Sequence, residues 1–277
     1  MAPWVLVAAT TAMMLASASA FGVAGGLAGA GVVGSFLGWA FQGVGPSTEA
    51  QRLVDARPPA EVEGGLLFGG ETPVIALYCG AKVRRASYAP LAEAVLKKLG
   101  ATPDAGVLIL QSPGNIYAFK PTSVAEVLEK HPTVTCIAGH SIGGLWAAEF
   151  CEGLERAGQW PSSGLDFFYM GVHGKGVSLE PFKRLPFRKV GWSYASEDCT
   201  MLRAAEDDVQ SYVKRIRAEL PPNAEIFHVE GGNHENYGSY GSPGPAQGLA
   251  YKDLPAMISE EEQRDLVASA IVTIAQR

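Results

Sequence analysis

The chain has 277 residues, 47% of them hydrophobic and 18% charged, which is enough for one substantial globular domain and an N-terminal appendage. A formal net charge of -6 and a pI near 5.4 argue against a nucleic-acid partner, because the basic runs at residues 82–85 (KVRR) and 183–189 (KRLPFRK) are short and read as solvated loop charges. Cys79, Cys136, Cys151 and Cys199 show neither C-x-x-C pairing nor metal-ligand spacing with the histidines, so no zinc site, disulfide framework or cofactor is expected, and buried small hydrophobes is the favoured reading, with a bridge through Cys199 left open.

Residues 1–45 contain no charged side chain. Residues 4–20 have the apolar run and small-residue end of a secretory signal, with Ala18, Ser19 and Ala20 as the cleavage triplet but no basic start. Residues 21–44 form a second apolar run, long enough to span a bilayer, with Gly22, Gly26, Gly34 and Gly38 at small-xxx-small spacing. The expectation is a signal or membrane anchor over 1–45, hence a membrane-associated, secretory or organellar protein of undetermined topology. Residues 46–60 read as a proline-rich linker holding one short helix near 49–55, and residues 61–277 as the globular domain.

The domain alternates strand and helix. Residues 61–68 predict an early strand. Residues 74–79 (VIALYC) are a continuous apolar run, as a strand buried on both faces requires. Residues 87–99 predict a helix with Tyr88, Leu91, Ala92, Val95 and Leu99 on its apolar face and Gly100 to end it. A strand over 106–110, a loop over 111–121 and a short helix over 123–131 follow. Residues 133–150 change period midway, from a β-branched strand to a helical pattern running to 157. Then come a strand at 165–171, a loop at 172–187, a strand at 189–195, a helix at 202–220, a strand at 224–229 and a last helix opened by a Ser259/Glu262 capping box. This order predicts a mostly parallel sheet covered by helices on both faces, with its crevice beyond the strand C-termini. The 171–189 insertion is too short for a lid domain, and the Gly/Pro-rich stretch 239–257 is placed as a flap bordering the crevice.

The hinge between the two periods at 133–150 is Gly139-His140-Ser141-Ile142-Gly143, a G-x-S-x-G between a buried strand and a helix, which is the context of a nucleophile elbow. A serine needs a base, and the base an orienting anion, in the chain order Ser, acid, His. Of the five histidines, His131 precedes the serine, His140 sits inside the elbow, His173 precedes the best acid and His228 lies within a strand. His234, in a polar Gly-rich loop after the last strand, is the expected base. The acid follows the preceding strand at Glu197 or Asp198, with Asp198 favoured for its shorter side chain and Asp207 or Asp208 as remote alternatives. The oxyanion hole is expected from the backbone N–H of Ile142 and one from the turn Gly80-Ala81-Lys82, at Ala81 or Lys82.

Residues 79–91 (CGAKVRRASYAPL), 139–144 (GHSIGG), 196–198 (SED) and 231–241 (GGNHENYGSYG) together resemble the α/β-hydrolase fold-5 family over about residues 60–277. The resemblance implies an α/β-hydrolase fold, a Ser141, Asp198, His234 triad and serine-hydrolase activity on undefined substrates. It also matches Asn115 to a family asparagine in the crevice loop. The chain departs from the family at Ala81 and Cys199, where glycine is frequent. The resulting expectation is a carboxylesterase- or lipase-like acyl hydrolase whose substrate is a small ester or lipid-like molecule, with Gly80, His140 and Asn115 near the substrate. The rival is a catalytically inactive binding or scaffold protein on the same fold, or a non-esterase reaction on the same triad.

Overall fold

The computed structural model describes residues 43–100, 104–110, 122–171, 178–206, 208–240 and 253–276. The apolar segment 1–42, Asn115, His173, Asp207 and residues 241–252 of the expected flap lie outside the described residues. Among the described residues no helix is long and apolar enough to cross a membrane.

Eight strands form one sheet in the order β1-β2-β4-β3-β5-β6-β7-β8. They are β1 (Ala60–Val62), β2 (Gly65–Gly69), β3 (Thr72–Tyr78), β4 (Ala105–Leu110), β5 (Cys136–His140), β6 (Asp166–Met170), β7 (Lys189–Ala195) and β8 (Glu225–Val229). The first two form an antiparallel hairpin, β2 runs antiparallel to β4, and every later pairing is parallel. The single early strand expected over 61–68 is thus two short ones, because Gly64 at φ 96° turns the chain back on itself.

The helices are α1 (Thr48–Ala56), α2 (Ala89–Leu99), α3 (Val124–Lys130), α4 (Ile142–Arg156), α5 (Cys199–Ala205), α6 (Val209–Glu219) and α7 (Glu260–Ala275). Alternation along each central strand sends its side chains into two cores. Ile75 and Leu77 of β3 join Leu91 and Val95 of α2 and Val267 and Ile271 of α7 on one face. Ala76 and Tyr78 join Val127 of α3, Cys151 and Leu154 of α4 and Ile216 of α6 on the other. A strand covered on both sides is apolar through most of its length, which is why the middles of β3 to β6 read as hydrophobic runs, with polar Asp166 and His140 at strand ends. Each buried Leu, Ile or Val contributes roughly 1.5–3 kcal/mol against exposure. All four cysteines are free, three of them buried in these layers.

Three local expectations are revised. The helix read over 202–220 is two helices, because Glu206 takes a left-handed conformation (φ 48°) and Asp208 restarts the chain by accepting the Ser211 N–H. The reciprocal capping box belongs to Ser123 and Glu126 at α3; at α7, Ser259 accepts the Glu262 N–H. Residues 46–60, read as a linker, carry α1 docked on the domain. Ala50 is fully buried, Leu53 and Val54 pack against the α2/α7 core, and Arg264 pairs with Glu49 at 2.9 Å.

Candidate active site

Five parallel strands in succession end at one edge of the sheet; the expected site residues Gly80, Ser141, Asp198 and His234 follow the last positions of β3, β5, β7 and β8, and Gly171, which was not expected there, follows β6. Chain segments remote in sequence converge there because parallel strands all deliver their C-termini to the same side.

Ser141 sits at φ 54°, ψ -129°, between the last residue of β5 and the first of α4. Such a backbone is strained for a residue with a Cβ, and surrounding packing must hold it. The Ser141 N–H donates to Met170 O (2.8 Å), and its carbonyl accepts from Gly144 N–H (3.0 Å). The flanking glycines are sterically required. A Cβ on Gly139 would lie 2.4 Å from Gly144 Cα, and one on Gly143 would lie 2.3 Å from the Cys79 carbonyl oxygen. The start of α4 is therefore pressed against the end of β3, beside the Gly80 turn. Ile142, the first residue of α4, has an N–H outside the helical ladder.

Asp198 is fully buried and its carboxylate is divided between two tasks. Oδ1 caps α5, accepting from Thr200 N (2.8 Å), Met201 N (3.1 Å) and the Thr200 hydroxyl (2.5 Å). Oδ2 accepts from His234 Nδ1 at 2.8 Å. The capped helix end fixes the carboxylate before the imidazole arrives, and its N-terminal dipole favours the charge. Glu197, the alternative acid, turns elsewhere: its carboxylate accepts from the Ser196 hydroxyl at 3.0 Å. Asp208 caps α6 instead.

His234 is 7% exposed. Burial pulls the imidazole pKa down, but the Asp198 charge and hydrogen bond, with Asp253 and Glu235 nearby, outweigh it and leave His234 above its ordinary 6.5. His131 lies on the surface against Glu63, and His228 stacks on Tyr194.

Several residues of the cluster carried no recognised signal in the sequence. Gly171 takes φ 53°, which favours glycine, and a Cβ there would crowd Tyr237 Cε2 (3.0 Å), His234 Nδ1 (3.1 Å) and Asp198 Oδ2 (3.3 Å). Asp253 accepts from Cys199 N (2.9 Å) and Glu235 N (2.8 Å), strapping the start of α5 to the histidine loop. The Cys199 thiol beneath it is pushed up to about 12, by burial first and Asp253 second. Gln263 of α7 accepts from Asn233 N–H (2.9 Å) and donates to its carbonyl (2.8 Å). A buried polar side chain on an otherwise apolar helix face was the one available clue.

Gly80 and His140, expected near the substrate, are engaged elsewhere. The Gly80 N–H donates to the Tyr88 hydroxyl (2.8 Å), which lies 2.7 Å from His140 Nδ1, and His140 is 1% exposed. Lys82 in the same turn adopts φ 59°, and its carbonyl accepts from Val44 N–H. A concavity of about 300 Å3 lies between α1, β2 and α2, lined by Arg57, Phe68 and Leu96, and shares no residue with this cluster. Among the described residues no group of three or more His, Cys, Asp or Glu side chains is gathered to hold a metal ion.

A search of curated proteins returned no match. Solved structures similar to the chain include carboxyl esterase 2 from Tuber melanosporum, at 14% identity over 76% of this chain and 83% of that one, with a TM-score of 0.47. Others are a thermostable esterase from Pseudomonas putida (14%, 81% and 89%, 0.41) and the RedJ thioesterase of prodiginine biosynthesis from Streptomyces coelicolor (16%, 70% and 94%, 0.41). Residues 74–159, from β3 through the elbow and α4, match the model of the alpha/beta hydrolase family, and the mostly parallel eight-stranded sheet covered by helices has the α/β-hydrolase fold.

Proposed function

We propose that the chain is a serine hydrolase of ester bonds in which Ser141 is the nucleophile, His234 the general base and acid, and Asp198 the residue that orients the imidazole. The observation that carries this reading is the buried Asp198–His234 hydrogen bond, at the same sheet edge as a serine held at positive φ on a strand-to-helix turn. With Nδ1 directed at Asp198, His234 presents Nε2 to the reacting groups.

In this mechanism Nε2 takes the Ser141 proton as Oγ attacks the ester carbonyl. The oxyanion is received by the N–H of Ile142 and by one from the Ala81–Lys82 turn, the Gly80 N–H being committed to Tyr88. The imidazolium then gives its proton to the departing alkoxide, leaving an acyl-enzyme. Water, deprotonated by the same nitrogen, attacks the acyl carbonyl, and collapse of the second tetrahedral intermediate releases the acid and restores Ser141. The substrate is a small or lipid-like ester. The apolar segment 1–45 is proposed as a signal or anchor that places the domain at a membrane, in the secretory pathway or in an organelle.

The test is labelling by a fluorophosphonate probe together with hydrolysis of p-nitrophenyl acetate. Wild type should label and turn over, and folded Ser141→Ala should do neither. Absence of Ser141-dependent labelling in folded protein would favour the non-catalytic binding reading.

A further inference from the structure

We infer that Tyr88 is a positioning residue of the proposed hydrolase: its buried hydroxyl, through Gly80 and His140, pins the oxyanion turn to the nucleophile elbow and fixes the width of the oxyanion hole. The inference rests on the reading of Ser141 as nucleophile and adds to it a residue that never touches substrate.

Tyr88 is fully buried and ends the 3-10 turn that leads into α2. Its oxygen takes the Gly80 N–H at 2.8 Å and lies 2.7 Å from His140 Nδ1. Gly80 opens the turn that precedes Ala81 and Lys82, and His140 is the last residue of β5, directly before Ser141 and Ile142. One hydroxyl therefore joins the two segments proposed to supply the oxyanion donors. Those segments are also in van der Waals contact where Gly143 meets the Cys79 carbonyl, so the pin works against a packed stop rather than across open space.

The same tyrosine reaches the third wall of the site. Gly238, four residues after His234, lies between two tyrosines, where a Cβ would be 2.9 Å from Tyr240 Cδ1 and 3.3 Å from Tyr88 Cε1, and the Ser239 N–H donates to Ser87 O at 2.7 Å. The His140 ring in turn lies 4.8 Å from the His234 ring and 5.3 Å from Tyr237, centroid to centroid. Oxyanion turn, elbow and histidine loop thus share a single buried tyrosine. A Cβ on Gly80 would approach His140 Nδ1 to 2.8 Å and the Tyr88 hydroxyl to 3.1 Å, so glycine at this position leaves room for the pin.

Donors set for an oxyanion act mainly in the transition state, so loosening their spacing should lower kcat more than it raises KM. Tyr88→Phe keeps the ring and deletes the hydroxyl. With p-nitrophenyl acetate it should lower kcat about 10- to 100-fold while KM moves less than about threefold, and weaken binding of a phenylboronic acid in parallel with kcat/KM. His140→Asn, whose amide can occupy the place of Nδ1, should retain most of the activity that His140→Ala loses. Circular dichroism and thermal melting establish that each variant is folded. A folded Tyr88→Phe with wild-type kcat, or one that loses kcat without weakening boronic acid binding, overturns the inference. If Tyr88→Phe does not fold, the two His140 variants decide it, and equal losses in them overturn it. The fluorophosphonate comparison of wild type with Ser141→Ala is run alongside: failure of that labelling removes the hydrolase reading itself, whereas normal labelling with an unaffected Tyr88→Phe removes only the pin.

Discussion

Two adjacent carboxylates, Glu197 and Asp198, differ by one residue of position and one methylene, and by everything that follows from it. Asp198 reaches both the α5 N-terminus and His234 Nδ1, while Glu197 sits on the other side of the backbone with its own N–H given to Gly232 O. Asp198→Asn should therefore lower kcat about 10^3- to 10^4-fold, since an amide cannot hold the imidazole in the required tautomer. Glu197→Gln should stay within about threefold, being remote from the pair; the reverse ranking in steady-state assays would move the acid to Glu197. The raised His234 pKa makes a second prediction at this scale. Folding stability drawn from the charged pair is fully present below the ordinary imidazole value of 6.5 and is lost as pH rises through the higher folded value. Catalysis runs the opposite way, because the base must be neutral, so kcat/KM should rise with pH through a midpoint above 6.5. A pH–rate profile whose acidic limb falls at or below that value would contradict the pairing.

At the scale of elements, what could be read from the sequence was whatever repeats with a period or is punctuated by glycine. The β3, β4 and β6 runs, the α2 stripe and the elbow all fall within one to three residues of their expected bounds, because double-sided burial and helical facing write themselves into neighbouring positions. Contacts between distant segments leave no such trace. Tyr88 could be placed on an apolar helix face but not on His140, 52 residues away. Nor did the break between α5 and α6 show, since Glu206 takes the left-handed turn without a glycine to announce it. Asp253 is the clearest case: an isolated aspartate within a Gly/Pro-rich stretch proves to join two loops across 54 residues to Cys199 and 18 to Glu235. Asp253→Asn leaves one of those two N–H groups facing an amide NH2 and should cost about 1–3 kcal/mol of stability. If the strap also sets the angle between α5 and the histidine loop, kcat should fall about 3- to 30-fold, as expected of a small displacement of a catalytic pair. Urea denaturation and steady-state kinetics on the same samples measure both; lost stability with unchanged kcat would reduce Asp253 to a purely structural strap.

Across the whole molecule, the first described residues tie the chain's entry point to the site. Val44 bridges Val83, Pro46 bridges Tyr240, and Ser47 both donates its N–H to Ser239 O (3.0 Å) and bonds the Ser239 hydroxyl (2.7 Å). The arm at 44–47 thus lies between the proposed oxyanion turn and the end of the histidine loop, and α1 follows it onto the α2/α7 face of the sheet. A chain beginning at residue 43 keeps all of these contacts and should fold and turn over within about twofold of the full chain, since no side chain of the site is altered. A chain beginning at residue 58 loses the arm and α1, exposing the surface that Ala50, Leu53 and Val54 cover. Burial of that size is worth roughly 3 kcal/mol, or about 6–12 °C in Tm for a domain of this length. Its kcat should fall further than its stability alone explains, because the clasp across Val83 and Ser239 is gone. Thermal melts and p-nitrophenyl acetate turnover of the two truncated chains separate the effects: equal kcat in both, measured well below either Tm, would show that the arm supports the fold and leaves the site alone.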